Sequence, residues 1–129
     1  MGRERRRHQR YVLPSMYTAI AVRPLDSDKY KWEGHAYDIS EGGLRFEIDH
    51  PIPTGTQVAV RVQLPGASSL RASERRPVYA FANVVWLEED DVDGGGPVRM
   101  ACVFTRFVQP GDKERLLARL KSGRYSLAA

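Results

Sequence analysis

Cysteine is nearly absent from this chain: Cys102 is the only one among 129 residues. An internal disulfide and a metal site built from several thiolates are therefore excluded, and the low cysteine content is typical of the cytoplasm.

Long hydrophobic runs are missing as well. The charge-free stretches 12–22 and 77–87 are much shorter than the ~20 residues that a membrane-spanning helix requires. We therefore expect a cytoplasmic protein without membrane insertion.

The excess of positive charge is confined to the first ten residues, and the rest of the chain has no net charge. Residues 1–10 hold five arginines and one acidic residue, Glu4, and this net charge of +4 equals that of the whole sequence. Arginine binds phosphates and guanine edges through paired hydrogen bonds, so residues 1–12 are predicted to form a flexible basic arm for an anion. An alternative, a secretory signal with 11–22 as its apolar part, is disfavoured because Pro14 and Ser15 interrupt that stretch.

The body of the chain has the pattern of an all-β domain. Hydrophobic residues make up 42% of the sequence and charged residues 28%, which is ordinary for one globular domain of this length. Apolar and polar residues alternate in six short segments separated by turn residues, and this alternation predicts strands. The clearest segment is 57–64, in which the valines at every second position share one face. The other five predicted strands lie near 16–22, 31–39, 44–48, 77–87 and 98–104.

A helix is predicted after the last strand, over residues 112–122. Asp112 is the expected N-cap, three leucines form a narrow apolar stripe, and Gly123 is the expected stop. Residues 13–125 are thus predicted to form a single domain. The connection 65–75 and the acidic loop 88–96 are predicted to be polar excursions from it.

Catalysis and metal binding find little support in the sequence. The three histidines are scattered without the spacing of metal ligands, and Cys102 alternates with apolar residues as a buried core residue would. The acidic loop has the start of a calcium-binding pattern, but Met100 stands where a bidentate glutamate is needed. We expect no enzyme activity, no metal site and no cofactor.

Two motifs remain, and together they indicate a ligand. Arg6 and Arg10 have RxxxR spacing, with Arg5 and Arg7 beside them, and the turn that begins at Asp38 reads DxSxxG. With both motifs in this order, the chain resembles the PilZ domain family, bacterial receptors for the second messenger cyclic di-GMP. The resemblance extends over nearly the whole chain. It implies a six-stranded antiparallel β-barrel with the arm across one mouth and one C-terminal helix.

The resemblance assigns roles to individual residues. Arg6 and Arg10 match the RxxxR arginines, and Asp38, Ser40 and Gly43 match the DxSxxG positions. One position departs from the family pattern, because Ala101 stands where relatives usually have glycine. The full expected ligand-binding set is Arg5, Arg6, Arg7, Arg10, Asp38, Ser40, Gly43 and Trp86.

Each of these residue types suits a cyclic dinucleotide of guanine. Arginine can bond guanine O6 and N7 or phosphate oxygens, and Asp38 can accept from the guanine N1–H and N2–H₂ edge or hold an arginine in place. Ser40 can donate to phosphate or cap its own turn. Gly43 is expected to allow a backbone conformation that would strain other residues. Trp86 can stack on a purine or lie in the core.

The function expected from this resemblance is a non-catalytic receptor or adaptor for cyclic di-GMP. The ligand would order the arm over the barrel mouth, and this change would signal to a separate, unidentified effector protein. Arg5, the extra arginine before RxxxR, fits relatives that accept an intercalated ligand dimer. Two alternatives remain open: a small β-barrel nucleic-acid binder that uses the arm on phosphates, and an adaptor of the same fold that binds no nucleotide.

Overall fold

The computed structural model describes residues 9–14, 18–65, 76–88, 97–122 and 125–127. Residues 1–8 of the basic arm, residues 66–75 of the 65–75 connection and residues 89–96 of the acidic loop lie outside these ranges. Within them the chain forms seven strands and one helix: β1 (Tyr11–Val12), β2 (Ala19–Pro24), β3 (Trp32–Ile39), β4 (Gly43–Ile48), β5 (Gln57–Gln63), β6 (Val78–Leu87), β7 (Val98–Phe107) and α1 (Asp112–Leu120).

Six of the strands close into an antiparallel barrel. The sheet order is β1-β3-β2-β5-β6-β7-β4, and the pairing of β3 with β4 closes the ring. The expected six-stranded barrel with a C-terminal helix is therefore confirmed. The seventh strand, β1, pairs with the end of β3, opposite Ile39 and Asp38. Two residues are too short for alternation to reveal a strand, so the sequence pattern does not predict β1.

The barrel interior holds the apolar residues that alternation places inward. Val58, Val60 and Val62 of β5 are buried, as the sequence predicts, and Phe46 and Met100 from β4 and β7 are fully buried beside them. Burial of such side chains stabilises a fold by about 1.5–3 kcal/mol each. This packed interior leaves ligands only the outer surface and the mouths of the barrel.

The helix departs from its predicted ends. Gly111, with a positive φ of 86°, is the N-cap, and Asp112 makes no capping hydrogen bond, so its assignment as N-cap is wrong. Its carboxylate is instead fully buried and accepts hydrogen bonds from the Tyr79 backbone N–H at 3.2 Å and from the Arg115 guanidinium at 2.5 Å. A buried carboxylate requires such donors, so Asp112 joins α1 to β6.

The helix also ends earlier than predicted, at Leu120 rather than at residue 122. Gly123, the predicted stop, lies outside the described residues. Leu116 and Leu120 of the predicted stripe are buried, whereas Leu117 is half-buried. In the described part of the chain, no helix is long and apolar enough to cross a membrane.

Candidate ligand-binding groove

A groove of about 790 Å³ lies where the β3–β4 turn, the β6–β7 pair and the base of the arm meet. Five of the eight residues expected at the ligand site line it. Arg5, Arg6 and Arg7 lie outside the described residues. The groove is lined by Arg10, Asp38, Ser40, Gly42, Gly43, Leu44, Arg45, Val85, Trp86, Ala101, Cys102, Val103 and Phe104.

A row of directly paired residues runs across the outer face of the barrel in this groove. Asp38 lies opposite Arg45, Arg45 opposite Ala101, and Ala101 opposite Trp86. Directly opposite residues of an antiparallel pair place their side chains on one face, about 5 Å apart. The row therefore carries a carboxylate, a guanidinium, a methyl group and an indole in sequence. The small Ala101 leaves room between the guanidinium and the indole.

The DxSxxG turn is held by its own hydrogen bonds. The Ser40 N–H donates to the Gly43 carbonyl at 2.9 Å, and the Gly42 N–H donates to Ser40 Oγ at 3.1 Å. Ser40 therefore caps its own turn. Its hydroxyl proton can still be donated to an acceptor in the groove, because a hydroxyl both donates and accepts.

The same turn is fixed to the elements around it. The Phe104 N–H of β7 donates to the Gly42 carbonyl at 2.8 Å. Lys113 of α1 lies 3.0 Å from a carboxylate oxygen of Glu41. A turn with hydrogen bonds to β7 and an ion pair to the helix holds its backbone and Ser40 in place, and preorganised groups bind a ligand at lower entropic cost.

Gly43 is required for space rather than for its backbone conformation. Among the described glycines, positive φ values occur at Gly55 and Gly111, so the expected role of Gly43 in a strained conformation is wrong. A Cβ at Gly43 would instead lie 2.1 Å from the carbonyl oxygen of Cys102. No side chain fits at that distance, and glycine is what lets β4 approach β7 this closely.

Asp38 and Arg45 form an ion pair at the end of the row. Arg45 Nε lies 3.8 Å from Asp38 Oδ2, and the two side chains are 42% and 15% exposed. Of the two roles expected for Asp38, this geometry supports the holding of an arginine. Arg45 itself was not among the expected site residues. Its signal in the sequence is its position two residues after the DxSxxG glycine, outward-facing between the inward-facing Leu44 and Phe46.

Trp86 is turned outward by a β-bulge. Val84 pairs with Cys102, but the next paired residue on β6 is Trp86, opposite Ala101, so β6 carries one extra residue. The bulge exposes two consecutive side chains, Val85 by 52% and Trp86 by 44%. The alternative of a core tryptophan, which regular alternation after Val84 suggests, is therefore wrong. Bulges re-aim side chains in this way.

Cys102 borders the groove but carries no reactive thiol. The residue is buried, and burial raises the pKa of its thiol to about 12. Because the thiolate is the nucleophile, this burial makes Cys102 a weak nucleophile. Among the described residues, no three His, Cys, Asp or Glu side chains are grouped as metal ligands would be.

The fold and the groove together define a class: a single antiparallel barrel with a polar and aromatic groove on the outside of one end. The PilZ domain model matches residues 4–122 of the chain. Since this match spans most of the sequence, the chain belongs to the PilZ domain family. No curated protein matches the chain in a direct comparison.

Solved structures share this fold. The chain is similar to the PilZ domain of YcgR from Escherichia coli with c-di-GMP, with 19% identity and a TM-score of 0.63 over 92% of this chain and 91% of that one. It is also similar to the Bacillus subtilis inhibitor of motility MotI/DgrA, with 17% identity and a TM-score of 0.64 over 92% of this chain. The present chain spans 50% of the length of MotI/DgrA. At these identities the likeness establishes the fold.

Proposed function

We propose that this protein is a non-catalytic receptor for cyclic di-GMP, which it binds in the groove and whose presence it passes to a separate effector protein. The observation that supports this proposal best is the row of Asp38, Arg45, Ala101 and Trp86, with Arg10 and Ser40 beside it. It brings together groups for each part of the ligand: phosphate, guanine edge and purine face.

Different side chains of the groove can bind different parts of the ligand. The exposed indole of Trp86 offers a stacking surface for one guanine, worth about 1–3 kcal/mol, and the methyl of Ala101 is small enough to let the purine lie flat beside it. Arg45, held by Asp38, can bond guanine O6 and N7 or a phosphate. Arg10 and the Ser40 hydroxyl supply further donors for the phosphates.

The arm supplies the remaining positive charge. Arg10 lines the groove, and Arg6 precedes it by four residues, so the proposal places Arg5, Arg6 and Arg7 over the bound ligand. Residues 1–10 contain no hydrophobic side chain beyond Met1 and cannot offset the entropy of ordering, ~1–2 kcal/mol per residue, by burial. Charge-assisted hydrogen bonds to a dianion would do so instead. The ordered arm is the change that an effector would recognise.

The ligand bound by two solved structures of the same fold supports this proposal. The structure of the YcgR PilZ domain from Escherichia coli contains c-di-GMP, as does a structure of the longer YcgR chain, of which the present chain covers 46% at 18% identity and a TM-score of 0.64. Binding by those proteins supports a search for the same ligand here. The effector is a protein of unassigned identity, and the cytoplasm, where soluble second messengers act, is the compartment that we propose.

Calorimetric titration of the full chain with cyclic di-GMP tests the proposal. We expect saturable binding that Arg10→Ala and Arg6→Ala each weaken at least tenfold, ~1.4 kcal/mol. The matched control is Lys31→Ala, which removes the same charge from the residue before β3, about 25 Å along that strand from the groove end. The control should bind like the wild type. Unchanged affinity in both arginine variants, with binding intact, would overturn the site assignment.

A further inference from the structure

The strand at the base of the arm is paired on both of its edges. On one edge β1 pairs with β3, where Val12 lies opposite Asp38. On the other edge the Val12 N–H donates to the Ser126 carbonyl at 2.7 Å, and Tyr11 forms an antiparallel bridge with Leu127. The segment 125–127, beyond α1, thus lies antiparallel beside β1 and is held there by one bridge and one hydrogen bond.

This pairing stabilises a strand that would otherwise be marginal. β1 pairs with β3 over two residues only, and a neighbour on its second edge pairs backbone groups that an edge strand otherwise leaves open. Tyr11 and Tyr125 are both half-buried and both pack against the barrel core. An aromatic from each side therefore holds the β1 and 125–127 segments against the same hydrophobic surface.

The register of β1 determines where the arm enters the groove. Arg10 is the residue directly before β1 and lines the groove, and Val12 is paired with Asp38 of the candidate site. A shift of one residue along β3 would move Arg10 by about 3.3 Å and turn every β1 side chain to the opposite face. Whatever holds the register of β1 therefore holds the position of Arg10.

We infer that the 125–127 segment is a positioning element for the arm: by pairing with β1 it fixes Arg10 at the groove and raises the affinity for cyclic di-GMP. The ligand part of this inference rests on the proposed function. Because coupling between two sites is reciprocal, the ligand must also strengthen the pairing of 125–127 with β1. A protein that captured this segment would lower the affinity for the ligand.

The test compares Tyr125→Ser, and a chain ending at Ser122, with the wild type. The matched control is Tyr30→Ser, which removes another half-buried tyrosine from the loop at the far end of β3. Amide hydrogen exchange is measured at residues 11–13 without ligand, and affinity is measured by titration with cyclic di-GMP. We expect at least tenfold faster exchange at Val12 and at least fivefold weaker binding in both variants, and neither effect in the control.

The possible outcomes distinguish the positioning role of 125–127 from the proposal that the protein is a receptor for cyclic di-GMP. Unchanged exchange at Val12 in Tyr125→Ser would overturn the positioning role, as would faster exchange with unchanged affinity. If the shortened chain does not fold, the exchange and affinity of Tyr125→Ser alone decide whether 125–127 positions the arm. If the wild type itself does not bind cyclic di-GMP, the receptor proposal fails and the ligand part of this inference with it, whereas the exchange comparison still decides whether 125–127 holds β1.

Discussion

Trp86 and Ala101 lie directly opposite each other across β6 and β7, one residue out of the register that Val84 and Cys102 set. The extra residue turns the indole out of the core, and the alanine beside it leaves the face of the row open. An aromatic face next to a small side chain and an arginine is a surface on which a flat base can lie. Two predictions test this arrangement.

Replacement of Trp86 by alanine should weaken cyclic di-GMP binding about 5- to 150-fold, because stacking contributes about 1–3 kcal/mol per base. The thermal midpoint without ligand should change little, since the ring is largely outside the core. Trp32→Ala is the control: that ring stacks on His50, with 4.5 Å between centroids, at the start of β3. The control should lower the midpoint and leave binding intact. The opposite pattern, a less stable Trp86→Ala that binds normally, would remove Trp86 from the site.

Replacement of Ala101 by leucine should block binding by filling the space between Arg45 and Trp86. The side chain faces outward, so the fold should tolerate the change, and affinity should fall at least tenfold. Ala118→Leu, on the exposed face of α1, adds the same volume away from the groove and serves as the control. Titration of both variants checks the prediction. Normal binding by Ala101→Leu would show that no base occupies the row.

Gly43→Ala should destabilise the barrel through a steric clash. The added Cβ would lie 2.1 Å from the Cys102 carbonyl oxygen, and relief requires β4 to move away from β7, at a cost of about 1–3 kcal/mol. The movement alters the turn at Ser40, so affinity should fall together with the thermal midpoint. Gly55→Ala provides the comparison, because its φ is 90° and no atom lies within 4 Å of the added Cβ.

That comparison separates torsional strain from a clash. Gly55→Ala should lower the midpoint through torsional strain alone, since no atom lies within 4 Å of the added Cβ. If the Gly43→Ala variant is as stable as the wild type, the close approach of β4 to β7 is contradicted.

These residues also show what a sequence can and cannot predict. Alternation over β4, β5 and β7 predicts the barrel strands and their inward faces, because strand patterns are local, and the DxSxxG motif indicates the position of the turn. The bulge at Trp86 depends on pairing with β7, and the inward turn of Asp112 depends on the backbone donor at Tyr79, 33 residues away along the chain. Such long-range contacts leave no periodic signal.

The candidate groove joins residues that the motif indicates with residues that only the strand pairing brings together. Ser40 and Asp38 are expected from the motif, and Arg45 follows its glycine by two residues, but the ion pair of Arg45 with Asp38 is visible only when β3 and β4 are paired. The requirement for Gly43 was expected, whereas its cause, the approach of β7, needed the three-dimensional arrangement. The strand β1 is too short to show any pattern.

The buried thiol predicts a pH dependence of stability. The pKa of Cys102 is raised from 9.0 to about 12, so above pH 9 the unfolded thiol ionises while the folded one stays neutral. Ionisation stabilises the unfolded state, and folding stability contributed by this group is present below pH 9 and lost as the pH rises toward 12.

The measurement is urea unfolding at pH 8 and pH 10.5. Burial also raises the pKa of Tyr37, so Cys102→Ala, which retains Tyr37, is the control that isolates the thiol. The wild type should lose more stability between the two pH values than Cys102→Ala. Equal losses would show that the thiol is accessible to solvent in the folded protein.

The central claim is that the groove recognises guanine and not only negative charge. Calorimetric titration of the full chain at ~0.3 M salt tests it most directly, because screening removes most of the attraction of five arginines for any polyanion. The account predicts that cyclic di-GMP still binds and that cyclic di-AMP, which lacks the guanine edge, binds at least tenfold more weakly. Equal affinity for the two dinucleotides, or tighter binding of DNA than of cyclic di-GMP at this salt concentration, would contradict it.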